Sequence, residues 1–215
     1  MQAEVLAVGI IILLFSVILH EVMHGWAALQ FGDHTAERAG RLTVNPLPHI
    51  DPIGTILVPA VLILPAVFLG TSPGFIIGWA KPVPVNPLNF RDFRRGELLV
   101  SAAGVLINFG LAIAAALIFH LVKGSGNLPI QSLLLFTINI NLILGVFNSL
   151  PIPPLDGSKM VLSFLPPKLA AQYQSLEKYG LLILLFLLFF PFGPVSPLGV
   201  ILGFFLNLFR TILGV

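Results

Sequence analysis

The chain has 215 residues, of which 57% are hydrophobic and only 9% charged. Soluble domains run near about 25% charged, so an ordinary soluble globule, a disordered tail and a nucleic-acid binder are excluded, and a polytopic membrane protein remains. The net charge of +2 carries little by itself, and the lack of cysteine removes disulfides, thiolate nucleophiles and Cys-based metal sites.

An apolar run from Val5 to Leu19 continues as His20-Glu21-Val22-Met23-His24-Gly25-Trp26. Without a charged n-region or a small-residue cleavage site it is not a signal peptide. It predicts a first transmembrane helix over 4–30, ended by Gly32-Asp33. Residues 33–51 are polar, and the alternation Arg41-Leu42-Thr43-Val44 predicts a short strand. The apolar stretch 53–80 is interrupted by Pro59, Pro65, Gly70, Pro73, Gly74 and Gly78. Lys81-Pro82-Val83-Pro84-Val85-Asn86-Pro87 then reads as extended, because each Pro biases its predecessor away from helix. A basic loop with Arg91, Arg94 and Arg95 leads into a clear span over 98–122, whose Ser101, Gly104, Asn108 and Gly110 suit close helix packing in lipid. The next span, 128–150, carries Asn139, Asn141 and Asn148 and is broken by Pro151-Ile152-Pro153-Pro154-Leu155-Asp156-Gly157. After a polar stretch over 159–178, apolar runs over 179–192 and 197–213 close the chain. The expected fold class is an all-α polytopic membrane protein of five to six transmembrane helices. It forms a single domain over 1–215, with a re-entrant or short β element between the first and second clear spans.

His20, Glu21 and His24 form H-E-x-x-H. Four helical residues turn about 400° and rise about 6 Å, so both imidazoles leave one face and can share a zinc ion. Glu21 is placed to take a proton from water. Three ionisable groups within a span are costly and mark a functional site. Catalytic zinc takes three protein ligands and keeps one open position. The candidates for the third are His34, His49, His120 and Asp156, the only acidic residue from Leu111 to Ala170. Asp156 sits in a Pro-rich break, and irregular backbone at membrane depth is tolerated only around a cavity.

With His20-Glu21-Val22-Met23-His24 near the end of a first span and Asn148-Ser149-Leu150-Pro151-Ile152-Pro153-Pro154-Leu155-Asp156-Gly157 after a later one, the chain resembles the site-2 protease family of intramembrane zinc metalloproteases. The stretches Gly78-Trp79-Ala80-Lys81-Pro82-Val83-Pro84-Val85-Asn86-Pro87 and Ser101-Ala102-Ala103-Gly104…Asn108 are similar to its short bacterial and archaeal members, which have no PDZ insertion. The resemblance implies one zinc held by His20, His24 and Asp156, with Glu21 as general base and Asn148 helping to bind substrate or the oxyanion. It implies cleavage in or near transmembrane segments of membrane-protein substrates, within a lipid bilayer and with no nucleic-acid partner. The alternative is a membrane zinc transporter or metal-binding protein without protease activity. That would also use buried His and Asp, but would not need Glu21 and would normally string polar sites across several spans.

Charge bears on topology. If 53–80 crosses the membrane once, His24 and Asp156 fall on opposite faces. If it dips in and returns, they share a face with every Lys and Arg except Lys123, ten against one. The positive-inside rule then puts the site toward the cytoplasmic side of a multi-pass plasma-membrane protein.

Overall fold

The computed structural model describes residues 2–68, 78–190 and 195–215. Its elements are helical: α1 (Gln2–Gln30), α2 (Thr35–Arg38), α3 (Val58–Phe68), α4 (Phe93–Val122), α5 (Leu128–Ser149), α6 (Asp156–Leu162), α7 (Pro167–Gln174), α8 (Gly180–Phe189) and α9 (Pro197–Leu213). Three of them, α1, α4 and α5, are long and apolar enough to cross a bilayer.

Local chemistry sets their ends. Gly32, at a φ of +99°, lets the Asp33 N–H reach back to Ala28 O and close α1. The side chains of Asp92 and Asn127 accept main-chain N–H groups in the first turns of α4 and α5. α5 stops at Ser149, ahead of Pro151.

Small residues let the long helices approach closely. Ala27 and Ala28 of α1 pack with Val100 of α4, and Ala112, Ala115 and Ala116 of α4 pack with Ile138 and Leu142 of α5. α1 and α4 run antiparallel, since the Arg91 N–H, just ahead of α4, donates to Phe31 O just after α1. α4 and α5 form an antiparallel hairpin. The end of α1, the start of α4 and the end of α5 therefore share one end of the bundle. Between α1 and α4 the chain leaves and comes back, for the Trp79 N–H donates to Gly54 O and the Lys81 N–H to His49 O. The turn of the expected re-entrant element, within 69–77, lies outside the described residues.

Three expectations need correction. First, no strand forms among the described residues, either at Arg41–Val44 or along Lys81–Asn86. The bond that joins the two segments comes from a side chain, Arg41 Nη2 to Lys81 O, and Pro82 and Pro84 remove alternate N–H donors that a ladder needs. Second, five to six spans were expected, but among the described residues of the run 179–192 the α-helix is the ten residues of α8, about 15 Å long and by itself too short to cross. α9, with 17 residues, reaches about 25 Å. Third, α9 starts beside Leu150 and Leu155 and ends at the opposite end of the bundle, where His120 Nε2 donates to Leu213 O. Arg210 thus belongs to the half that holds Lys123, and the charge split becomes nine against two.

Candidate metal centre

His20 and His24 stand one turn apart on α1, facing α4. His20 Nδ1 lies 2.6 Å from Asn108 Oδ1, and His24 Nδ1 lies 2.7 Å from Val100 O. Carbonyl oxygens only accept, so both rings carry a proton on Nδ1 and turn Nε2 the other way. The two Nε2 atoms are 3.0 Å apart. Asp156 Oδ2, at the first residue of α6, lies 3.0 Å from the Nε2 of His20 and 3.2 Å from that of His24. His20 and Asp156 are buried, and the His24 side chain is 12% exposed. Three possible ligand atoms thus converge on one point. Two imidazole nitrogens and one carboxylate oxygen suit a divalent metal such as zinc and leave a position open, so the residues present fit that ion.

The surroundings are built for this cluster. Gly104 faces both rings, and a Cβ there would fall 2.5 Å from His24 Nε2 and 2.7 Å from His20 Cε1. Gly157 packs onto the Ser149 and Leu150 carbonyls at the end of α5, so a side chain there would push Asp156 away from the histidines. Behind His20 runs a polar chain: Asn108 Nδ2 donates to Asn141 Oδ1, and Asn141 Nδ2 donates to Ser16 Oγ and Thr137 O.

Glu21 lies about 100° round the helix from His20. Its Oε2 accepts the Val83 N–H at 2.8 Å. Val83 belongs to a strap, residues 81–89, extended as far as Asn86 and ending in a 3-10 turn over Pro87–Asn89, that lies against α1. Arg41 Nη2 donates to Lys81 O at one end, and at the other Asp33 accepts from Asn86 N–H and Asn89 Nδ2. Gly25 admits the strap, since a Cβ there would fall 2.8 Å from Val83 Cγ1.

The structure brings His20, His24 and Asp156 together with Glu21 beside them. Asn148 is spent on its own helix, donating from Nδ2 to Leu144 O. The other histidines are engaged elsewhere: His34 pairs with Glu37 at the surface, His49 is bonded to Thr43 O, and His120 lies at the far end. Two contributors were not recognised from sequence. Asn108, read as helix glue, orients His20, and Gly104 makes room for both rings. Ser101, Gly104 and Asn108 at helical spacing carried the signal, a small and polar stripe on one face of α4. The Val83 N–H left no side-chain signal.

No family model and no solved structure matches the chain. Curated relatives do. YwhC of Bacillus subtilis (strain 168), whose name assigns it provisionally as a zinc metalloprotease, is 37% identical over 197 residues, which cover 88% of this chain and 81% of that protein. Rip2 of Mycolicibacterium smegmatis, named in the same way, is 30% identical over 181 residues, 82% of this chain and 66% of that protein. Rip2 of Mycobacterium tuberculosis (H37Rv) is 28% identical over 173 residues, 80% of this chain and 62% of that protein. More than a third of the aligned positions are shared with YwhC along most of both sequences, and the chain belongs to the zinc metalloprotease family of YwhC and Rip2.

Proposed function

We propose that this protein is a short site-2 protease, an intramembrane zinc endopeptidase that hydrolyses peptide bonds in or near the transmembrane segments of membrane proteins. The observation that carries this reading is the convergence of His20 Nε2, His24 Nε2 and Asp156 Oδ2 beside Glu21, on a helix apolar enough to span.

His20, His24 and Asp156 would hold one zinc ion. Zinc there would supply Lewis-acid polarisation of the scissile carbonyl and of the attacking water. Glu21 takes a proton from that water and returns it to the leaving amine nitrogen. Its Oε1 performs both transfers, because Oε2 is occupied by the Val83 N–H. Asn148 is assigned to the substrate carbonyl; its Nδ2 must first turn away from Leu144 O. A substrate helix hides its carbonyls in its own hydrogen-bond ladder, so it unwinds locally before attack. The metal-ligand end, with nine of the eleven Lys and Arg on its side, is assigned to the cytoplasmic face of the plasma membrane.

The test is Glu21→Gln, which keeps size and hydrogen bonding but removes the base. The reconstituted variant should bind zinc as the parent does and lose at least 10²–10⁴ in the rate of cleaving a helical membrane substrate. Retained proteolysis removes Glu21 from the mechanism. A parent that carries zinc flux and cleaves nothing supports the transporter instead.

A further inference from the structure

At the metal-ligand end of the bundle a pocket of about 190 Å³ opens between the start of α4, α6 and the end of α7. Glu97, in the second turn of α4, lines it. This residue is only 9% exposed, and its carboxylate makes no hydrogen bond or ion pair with any described residue. A carboxylate drawn out of bulk water with no partner at contact distance is costly to keep, and the Lys159 charge acts on it only across a longer gap.

Three of the other polar groups on the wall share its preference for positive charge, and the exposed Gln174 can donate or accept. Ser158 Oγ donates its hydrogen to Leu155 O and Tyr173 Oη donates to Pro151 O, so both present lone pairs only. Glu177 adds a second carboxylate at an exposed position. Lys159 is the one cationic side chain on the wall; it is exposed and reaches no carboxylate at ion-pair distance, but its charge acts on Glu97 and competes with an incoming cation. Pro153, Pro154 and Leu162 supply an apolar side. A single water occupies about 30 Å³ of liquid, so the space exceeds what a bare ion fills. It fits an ammonium or guanidinium head with its alkyl stem, the stem on the apolar side and the head at Glu97.

We propose that this pocket is a specificity subsite that receives a Lys or Arg side chain from the segment flanking the substrate's transmembrane helix. The inference rests on the protease reading above. Membrane proteins concentrate Lys and Arg just beyond the cytoplasmic ends of their spans, the face to which this end of the bundle is assigned. Ser158 lies two residues from Asp156 on α6, so a basic residue anchored here sets which peptide bond reaches the metal ligands.

The Glu21→Gln chain, purified in detergent, is titrated with two fluorescent transmembrane-helix peptides that differ only in one flanking residue, Arg or Gln. The Arg peptide should bind about tenfold more tightly, the scale of one charge-assisted contact. Adding Glu97→Gln should erase that preference, and Glu177→Gln, at an exposed position that folding does not depend on, should reduce it. Lys159→Gln, which removes a competing cation, should widen it. Equal affinities for the two peptides, or an Arg preference that survives Glu97→Gln in a chain with an unchanged melting temperature, overturns the proposal. Cleavage of both peptides by the parent without an Arg preference sinks the subsite alone. A parent that cleaves neither peptide sinks the protease reading and the subsite with it.

Discussion

Gly104 contributes by what it lacks. Restoring a Cβ at this position drives it into both imidazoles, so Gly104→Ala should fold and insert yet bind zinc about 10–100-fold more weakly, as disturbed surroundings of a metal site do. Competition with a chelator measures it; unchanged affinity would show that the rings can move aside. Asp33 acts by accepting. Burial alone would raise its carboxyl, but hydrogen bonds from Thr35, Asn86 and Asn89 outweigh that and hold it below its ordinary value. With the folded value below the unfolded one of about 3.9, these bonds stabilise fully above that pH. The contribution is lost as pH falls through the folded value. Asp33→Asn should therefore cost about 1–3 kcal/mol near neutral pH, and the gap in melting temperature from the parent should close in acid. The histidine pair was legible in the sequence because an α-helix alone fixes the geometry of residues i and i+4. The roles of Gly104 and Asn108 were not, because they depend on which face of α4 meets α1.

Among the elements, the strap over 81–89 has the most to report. Its N–H groups at Lys81, Val83 and Asn86 all point inward, to His49 O, Glu21 and Asp33. Pro82 and Pro84 supply none. Hydrogen exchange should find the Val83 amide slow in the parent and fast in Glu21→Ala, and the Asn86 amide fast in Asp33→Ala with Val83 unaffected. Simultaneous release of both in either variant would mean that the strap is held as one piece rather than at separate points. The extended character of this segment was legible from its prolines. The strand expected at Arg41–Val44 finds no ladder partner in it, since a segment with alternate donors missing cannot sustain one. The run 179–192 was already short for a span in the sequence, and Pro191 lies two residues beyond the last helical position, Phe189.

At the scale of the whole molecule, the bonds Phe31–Arg91, Gly54–Trp79 and His49–Lys81 return the chain to where α1 leaves it. Single cysteines test the arrangement without background, because the chain has none of its own. Replacements at Arg94 and Ser175 should label from one side of the membrane, and replacements at Ser125 and Val215 from the other. Labelling of Arg94→Cys and Ser175→Cys from opposite sides would break the shared end on which the metal ligands depend. The charge count across the two sides was legible in its direction only; the place of Arg210 followed from the packing of α9, whose last turn meets His120. The polar chain behind His20 has a further consequence, because it has a sense as well as a length. The carbonyl of Thr137 has no hydrogen to give, so Asn141 must turn its amino group there and its oxygen toward Asn108. Asn108 must then answer with its own amino group, which leaves its oxygen for the Nδ1–H of His20. A main-chain oxygen on α5 thereby dictates, through two reversible side-chain amides, which nitrogen of a ring on α1 is bare. Were Asn141 a leucine, Asn108 would be free to turn over and present hydrogens to His20, and the ring would hold its proton on the nitrogen that should bind the metal.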